Sequence, residues 1–190
     1  MYSTIVIVGP SAIGKTFAVE RLMAVWPELF ACVRVHTTRP MRTSETERGD
    51  RVFVSDDAFE RMVQSGELAI HERFAGNRYG YRADDLKPAG RHLITNAPPF
   101  FVPKFLGLEG LLVVGLQAPA DYSDLLEARM KVRGDSEESR RVRRAFIERD
   151  IQDLEALRPQ IAGRGKVFEV TDDQTIPTKV IPWILERLKS

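Results

Sequence analysis

Residues Gly9 to Thr16 read GPSAIGKT and fit the spacing G-x-x-x-x-G-K-[ST] without deviation. Each fixed residue type has a use. Gly9 and Gly14 permit a turn tight enough for successive backbone N–H groups to point at phosphate oxygens. Lys15 sets a cation against β- and γ-phosphates, where charge matters most as they separate. The Thr16 hydroxyl suits Mg²⁺, and a helix opening directly after the loop adds the partial positive charge of its N-terminus. The pattern implies a nucleoside triphosphate held by Gly9, Pro10, Ser11, Ala12, Ile13, Gly14, Lys15, Thr16 and Phe17, with phosphoryl transfer or hydrolysis as the chemistry. Two further clusters carry charge. Arg39 and Arg42 stand in TTRPMR, 37–42, and planar guanidiniums suit phosphate. Residues 129–149 hold Arg129, Lys131, Arg133, Arg140, Arg141, Arg143, Arg144 and Arg149. Taken alone, both clusters read as solvated surface laced with ion pairs.

These residues need elements to position them. Thr4 to Val8, TIVIV, predicts a strand buried on both faces, and Thr16 to Trp26 a helix that ends at Pro27. Strand, glycine loop and helix thus follow in the order the motif requires. Ala31 to Val35 predicts a second strand and Arg51 to Val54 a third. Ser55 is placed to cap a helix from Asp56 to Gln64 that stops at Gly66. Glu67–Ala75 and Arg78–Tyr81, joined through Gly76-Asn77, predict a hairpin. Core strands are expected at 91–95, 111–116 and 166–170. Helices are expected at 121–132, at 136–157 with a break before Pro159, and at 176–189 with an awkward Pro182. The alternation predicts an α/β domain, a P-loop NTPase fold with a mainly parallel central sheet. Residues 1–34 and 87–190 form its core, and 35–86 form a β-rich insert.

Composition excludes several classes. Twenty-eight Lys and Arg against 27 Asp and Glu leave a net charge of +1, too little for a nucleic-acid wrapper. One cysteine, Cys32, excludes an internal disulfide and a Cys-rich zinc module. His36, His71 and His92 lack metal spacing. No apolar run spans a bilayer, and no signal-peptide pattern opens the chain, so a cytoplasmic protein is expected, as monomer or homodimer.

Read together, GPSAIGKT, HTTRPMRTSE (36–45), GDRVFVS (49–55), FERMVQSGEL (59–68), GNRYG (76–80) and RGDSEES (133–139) resemble the guanylate kinase family, in order and over most of the chain. The resemblance implies an ATP- and Mg²⁺-dependent kinase whose acceptor is a small phosphorylated molecule, GMP by family default. Arg39, Arg42 and Tyr79 would grip the acceptor phosphate. Residues 129–149 would form a helical lid whose Arg133 and Arg143 close over the transferring group, with Lys15 and Arg39 completing the catalytic set. Thr171 to Asp173 would lie near the adenine.

The departures are coordinated. Where the family reads guanine with a Ser before the TTR segment, this chain has Val35. Its Glu after the F-x-x-M helix is Ile70, and its Ser or Thr after G-N-Y-Y-G is Tyr81. Its Asp-x-Asp pair is Asn96 and Pro98, and its phosphate-binding Tyr before F-V-S is Arg51. Buried polar pairs discriminate bases by powers of ten, so losing them removes the grip on guanine while the phosphate-binding groups persist. The acceptor site expected here is Arg39, Arg42, Arg51, Ile70, Tyr79, Tyr81 and Asn96. The chain also resembles, in part, the ribose 1,5-bisphosphate phosphokinases, which act on a sugar phosphate and end the matching strand Val-Asn-Gly, against Thr95-Asn96-Ala97 here. Those enzymes lack the intact TTRxxR. A third possibility is a non-catalytic guanylate-kinase-like module that binds phosphopeptides, but such modules have usually lost the loop lysine kept here as Lys15. A strand-end carboxylate for Mg²⁺ is missing, since Asn96 and Gln117 stand at the two candidate positions.

Overall fold

A computed structural model describes residues 3–41, 51–119, 122–132 and 134–189. The central sheet is built from β1 (Thr4–Val8), β2 (Phe30–Cys32), β7 (His92–Ala97), β8 (Leu111–Gln117) and β9 (Gly165–Glu169). Its order is β2-β7-β1-β8-β9, and every neighbouring pair is parallel. Strands of this kind are covered on both faces, which is why TIVIV and LLVVGLQ are buried at every position. Apolar clusters lie on the two sides. One joins Ile5, Ile7 and Val114 to α1 (Lys15–Val25) and α6 (Ile181–Lys189), and the other joins Val6, Val8 and Val113 to Phe101, Phe105 and Leu154.

A second sheet, in the order β4-β3-β6-β5, stands beside the first. It comprises β3 (Val35–Thr37), β4 (Arg51–Phe53), β5 (Leu68–Phe74) and β6 (Asn77–Arg82), with α2 (Asp56–Gln64) between β4 and β5. Ser55 caps α2 as expected, its Oγ accepting the Ala58 N–H at 3.2 Å. β5 and β6 form the expected antiparallel hairpin, turning at Ala75-Gly76 with positive φ at both. The remaining helices are α3 (Val102–Phe105), α4 (Ser123–Val132) and α5 (Glu137–Ala162).

Three expectations are corrected. The apolar run 31–35 is two strands in different sheets: the chain leaves the central sheet after Cys32 and enters the second at Val35. Beyond that switch, Arg39 reaches the cavity that the Gly9–Thr16 loop lines. Helix α5 does not stop before Pro159 but continues to Ala162. Proline removes one N–H, and the carbonyl it would have met belongs to Glu155, which is exposed to water. The last helix is preceded by a wider π turn at Ile176–Val180, so Pro182 falls in the first turn of α6, where a missing N–H costs nothing.

Candidate active site

The loop after β1 is shaped by contact as much as by torsion. A Cβ on Gly9 would stand 2.3 Å from the Leu116 carbonyl oxygen, and one on Gly14 would stand 2.4 Å from Ile176 Cδ1. Gly14 also takes φ 111°, a left-handed conformation that lets α1 begin at Lys15 with its first N–H groups facing the loop. The Lys15 ammonium donates to the carbonyls of Gly9 at 2.6 Å and Pro10 at 2.7 Å, which fixes it at the loop's rim. Thr16 is exposed at the same helix start, leaving its hydroxyl open to a ligand.

A cavity of about 230 Å³ opens above the loop. Its loop side is made by Ser11, Ala12, Gly14, Lys15, Thr16 and Phe17. Its far side is made by the second sheet and by the end of β7, which contribute Arg39, Arg51, Tyr79, Tyr81 and Asn96. Residues expected on separate grounds as donor and acceptor groups therefore share one space. Arg39 is only 7% exposed; its Nη1 donates to the Pro40 carbonyl at 2.6 Å and its guanidinium lies over the Phe53 ring. Arg51 stands in register with Val35, which also lines the cavity. From α5, Arg143 reaches across to the loop, its Nη1 donating to Ser11 Oγ at 3.2 Å. The side chain is steadied by Ser139 Oγ at 3.4 Å and by the buried Asp135 carboxylate at 3.9 Å.

Ile70 does not line the cavity. It is buried beside Tyr81, its partner in the β5–β6 register. Of the pair it is Tyr81 that lines the cavity, only 2% exposed, edge-on to Phe101 and Phe105 with ring centroids 6.2 and 5.1 Å away. Its hydroxyl donates to the Asn96 carbonyl at 3.4 Å, and burial pushes the phenol up to about 12. Gly9 and Pro10 act through backbone carbonyls behind the rim, and Ile13 is a core side chain. Arg42 and Arg133 lie outside the described residues.

A second cavity of about 280 Å³ adjoins the loop on its other side, between Ile13, Phe17, Arg129 and Asp172–Asp173. Asp172 caps the turn there, accepting the N–H of Gln174 at 3.0 Å and of Thr175 at 2.7 Å. Arg129 pairs with Asp173 and borders both cavities. Elsewhere in 129–149, Arg144 pairs with Glu127 at 2.6 Å, Arg149 with Asp153 at 3.6 Å, and Arg140 donates to the Asp135 carbonyl at 2.9 Å.

Sequence reasoning passed over Asp150. It sits on α5 two turns beyond Arg143, on the buried stripe with Ile147 and Leu154, and lines the main cavity while only 2% exposed. Burial is the chief cause that raises its carboxyl to about 7, with the Lys15 ammonium opposing the shift. The signal was available: an acid at an apolar position of an amphipathic helix. A raised acid favours the fold while protonated. Its contribution is complete below the unfolded value near 3.8 and is lost as pH rises through about 7. In the metal-free protein, Asp150→Asn is therefore expected to raise the melting temperature at pH 8 relative to the parent and to give no such gain near pH 4. Calorimetric scans at the two pH values check it; equal shifts at both would refute the assignment.

Part of the sequence and the fold have counterparts. The guanylate kinase family model matches residues 1–89. Guanylate kinase of Thermobifida fusca is 45% identical over 75 residues, 40% of this chain and 38% of that protein. That of Streptomyces kasugaensis is 43% identical over 75 residues, 40% of this chain and 36% of that protein. A human leucine-rich repeat and guanylate kinase domain-containing protein is 31% identical over 90 residues, 47% of this chain and 11% of its own length. The aligned part thus spans well under half of these relatives. The crystal structure of guanylate kinase from Anaplasma phagocytophilum superposes on 98% of this chain and 86% of its own, with TM-score 0.71 and 20% identity.

Proposed function

We propose that this chain, guanylate-kinase-like in sequence over residues 1–89 and in fold over nearly its whole length, is an ATP-dependent phosphotransferase acting on the phosphate of a small acceptor other than a guanine nucleotide. The observation that carries this reading is the shared cavity, with the phosphate loop on one side and Arg39, Arg51 and Tyr79 on the other. Two anionic groups brought there face each other across it. Such a site works by position and charge rather than by a covalent intermediate. Lys15 and the loop N–H groups hold the donor phosphates. Arg39 and Arg51 neutralise the acceptor phosphate, which would otherwise repel the incoming group. Arg143, already on Ser11, supplies positive charge where it develops between them and helps exclude water. In this reading residues 35–86 bind the acceptor and 129–149 form the lid.

The donor set fits Mg²⁺ held mostly by phosphates and water. The Thr16 hydroxyl is exposed at the loop, and among the described residues no group of three His, Cys, Asp or Glu could cage a metal. When bound with ATP, Mg²⁺ would neutralise charge on the β- and γ-phosphates.

Against guanine stands the apolar back of the cavity. Val35, Tyr81 and Phe101 line it where a base would need hydrogen-bonding groups, with Ile70 in the same apolar cluster. A pentose phosphate or a non-guanine nucleotide fits this lining better than GMP. The test is coupled ADP release with GMP, dGMP, UMP, dUMP, AMP and ribose 1,5-bisphosphate. Turnover with a non-guanine member, and GMP weaker by a hundredfold or more in kcat/KM, is the expected outcome. GMP as the best acceptor would refute the specificity, and ATP binding without turnover of any member would favour a binding module.

A further inference from the structure

Five cationic side chains line the main cavity, Lys15, Arg39, Arg51, Arg129 and Arg143, and among the described residues a single carboxylate, Asp150, joins them. We propose that Asp150, reaching the phosphate cavity from α5, supplies with Thr16 the protein side of the Mg²⁺ site, in place of an acid at a strand end. The proposal rests on the phosphotransferase reading above. The strands flanking β1 end in amides, Asn96 on β7 and Gln117 on β8, so neither offers the carboxylate that loops of this type often use.

An acid in that position is repulsive to phosphate unless a cation stands between them. It is also costly to keep, being 2% exposed on the stripe that carries Ile147 and Leu154 into the core. A neutral or apolar side chain would pack there without either penalty. The Lys15 ammonium and the Arg149 and Arg143 guanidiniums offset part of the burial cost, and a divalent ion adds a link from the carboxylate to the phosphates. The rigid α5 scaffold suits a carboxylate that holds the metal's water shell, because Mg²⁺ gives up its waters reluctantly and tolerates little displacement.

The experiment measures binding of ADP to the whole protein by calorimetry, with EDTA and with Mn²⁺ as the probe for Mg²⁺, in the parent, Asp150→Asn and Asp150→Glu. Mn²⁺ binding to the protein·ADP complex is followed in parallel by electron paramagnetic resonance. Asp150→Asn is expected to weaken Mn²⁺ in the complex by roughly 10–100-fold and to leave metal-free ADP affinity unchanged or tighter, with partial recovery in Asp150→Glu. In the unsubstituted protein, relaxation by Mn²⁺·ADP should place the metal about 4–5 Å from the Asp150 carboxylate, a water-bridged separation. An unchanged Mn²⁺ affinity in Asp150→Asn, a distance well beyond that range, or equal effects on ADP with and without metal would overturn the assignment while leaving the phosphotransferase reading intact. Failure of the parent to bind ADP at all would overturn both.

Discussion

Replacing Lys15 by methionine is expected to lower phosphoryl transfer by roughly 1,000-fold or more while the fold is retained. Methionine keeps the length and the apolar stem of lysine, so the packing of α1 is preserved. What disappears is a cation held at 2.6 and 2.7 Å by the Gly9 and Pro10 carbonyls, aimed along the rim of the loop. Hydrogen bonds from a charged group of this kind are worth about 1.5–3 kcal/mol to folding, a smaller loss than that of the transition-state charge the ammonium would meet. The same change removes the ammonium that opposes the upward shift of Asp150, so the carboxyl is expected to rise further. Lys15→Met and Asp150→Asn should therefore be non-additive in stability at pH 8, the double variant recovering what the single lysine change loses. Steady-state rates with the preferred acceptor and melting curves of the three variants check this. Activity of Lys15→Met within tenfold of the parent would remove the loop lysine from the chemistry.

What could be read from the sequence divides along physical lines. The phosphate loop was legible because its residues are contiguous and its strand and helix lie directly on either side. The parallel sheet was legible because doubly covered strands are apolar throughout, as LLVVGLQ is. The break in the run 31–35 was not legible, since Ala31, Cys32, Val33 and Val35 are apolar whether they serve one sheet or two. The distinction lies in which strand pairs with each half, β7 with the first and β6 and β4 with the second. Depth was equally hidden at Ile70. Period-two alternation puts Leu68, Ile70 and Phe74 on one buried face, but it cannot reveal that Tyr81, and not its register partner Ile70, lines the cavity. Within the arginine-rich stretch the resemblance singles out Arg143, but residue type alone tells neither it nor Arg129 from their neighbours, because a helix surface offers many acids as partners and only the packing of α4 and α5 beside the loop selects the ones that face inward.

The second large effect follows from that arrangement. Ile70→Glu alone is expected to destabilise the protein and to confer no activity toward GMP. The new carboxylate would lie at a position 6% exposed, beside the Tyr81 ring and in an apolar cluster with Val35, Leu86 and Phe105. Tyr81→Ser alone would open the cavity backward but sacrifice the edge-on contacts with Phe101 and Phe105, at a cost of about 3–5 kcal/mol by analogy with other large aromatic truncations. Combined, each change supplies what the other lacks. The serine removes the ring beside position 70, the glutamate gains access to solvent and substrate, and the pair presents an acceptor and a hydroxyl to the guanine N–H groups. The double variant is expected to raise kcat/KM for GMP by roughly 100–10,000-fold over the parent, since a site that hydrogen-bonds its substrate discriminates by about that much. Its preference among the other acceptors should fall as GMP rises. Coupled assays on the parent, both single variants and the double variant read the effect. A gain from Ile70→Glu alone would mean that the Tyr81 ring does not limit access to position 70, and no gain in a folded double variant would mean that guanine selectivity is lost through other residues.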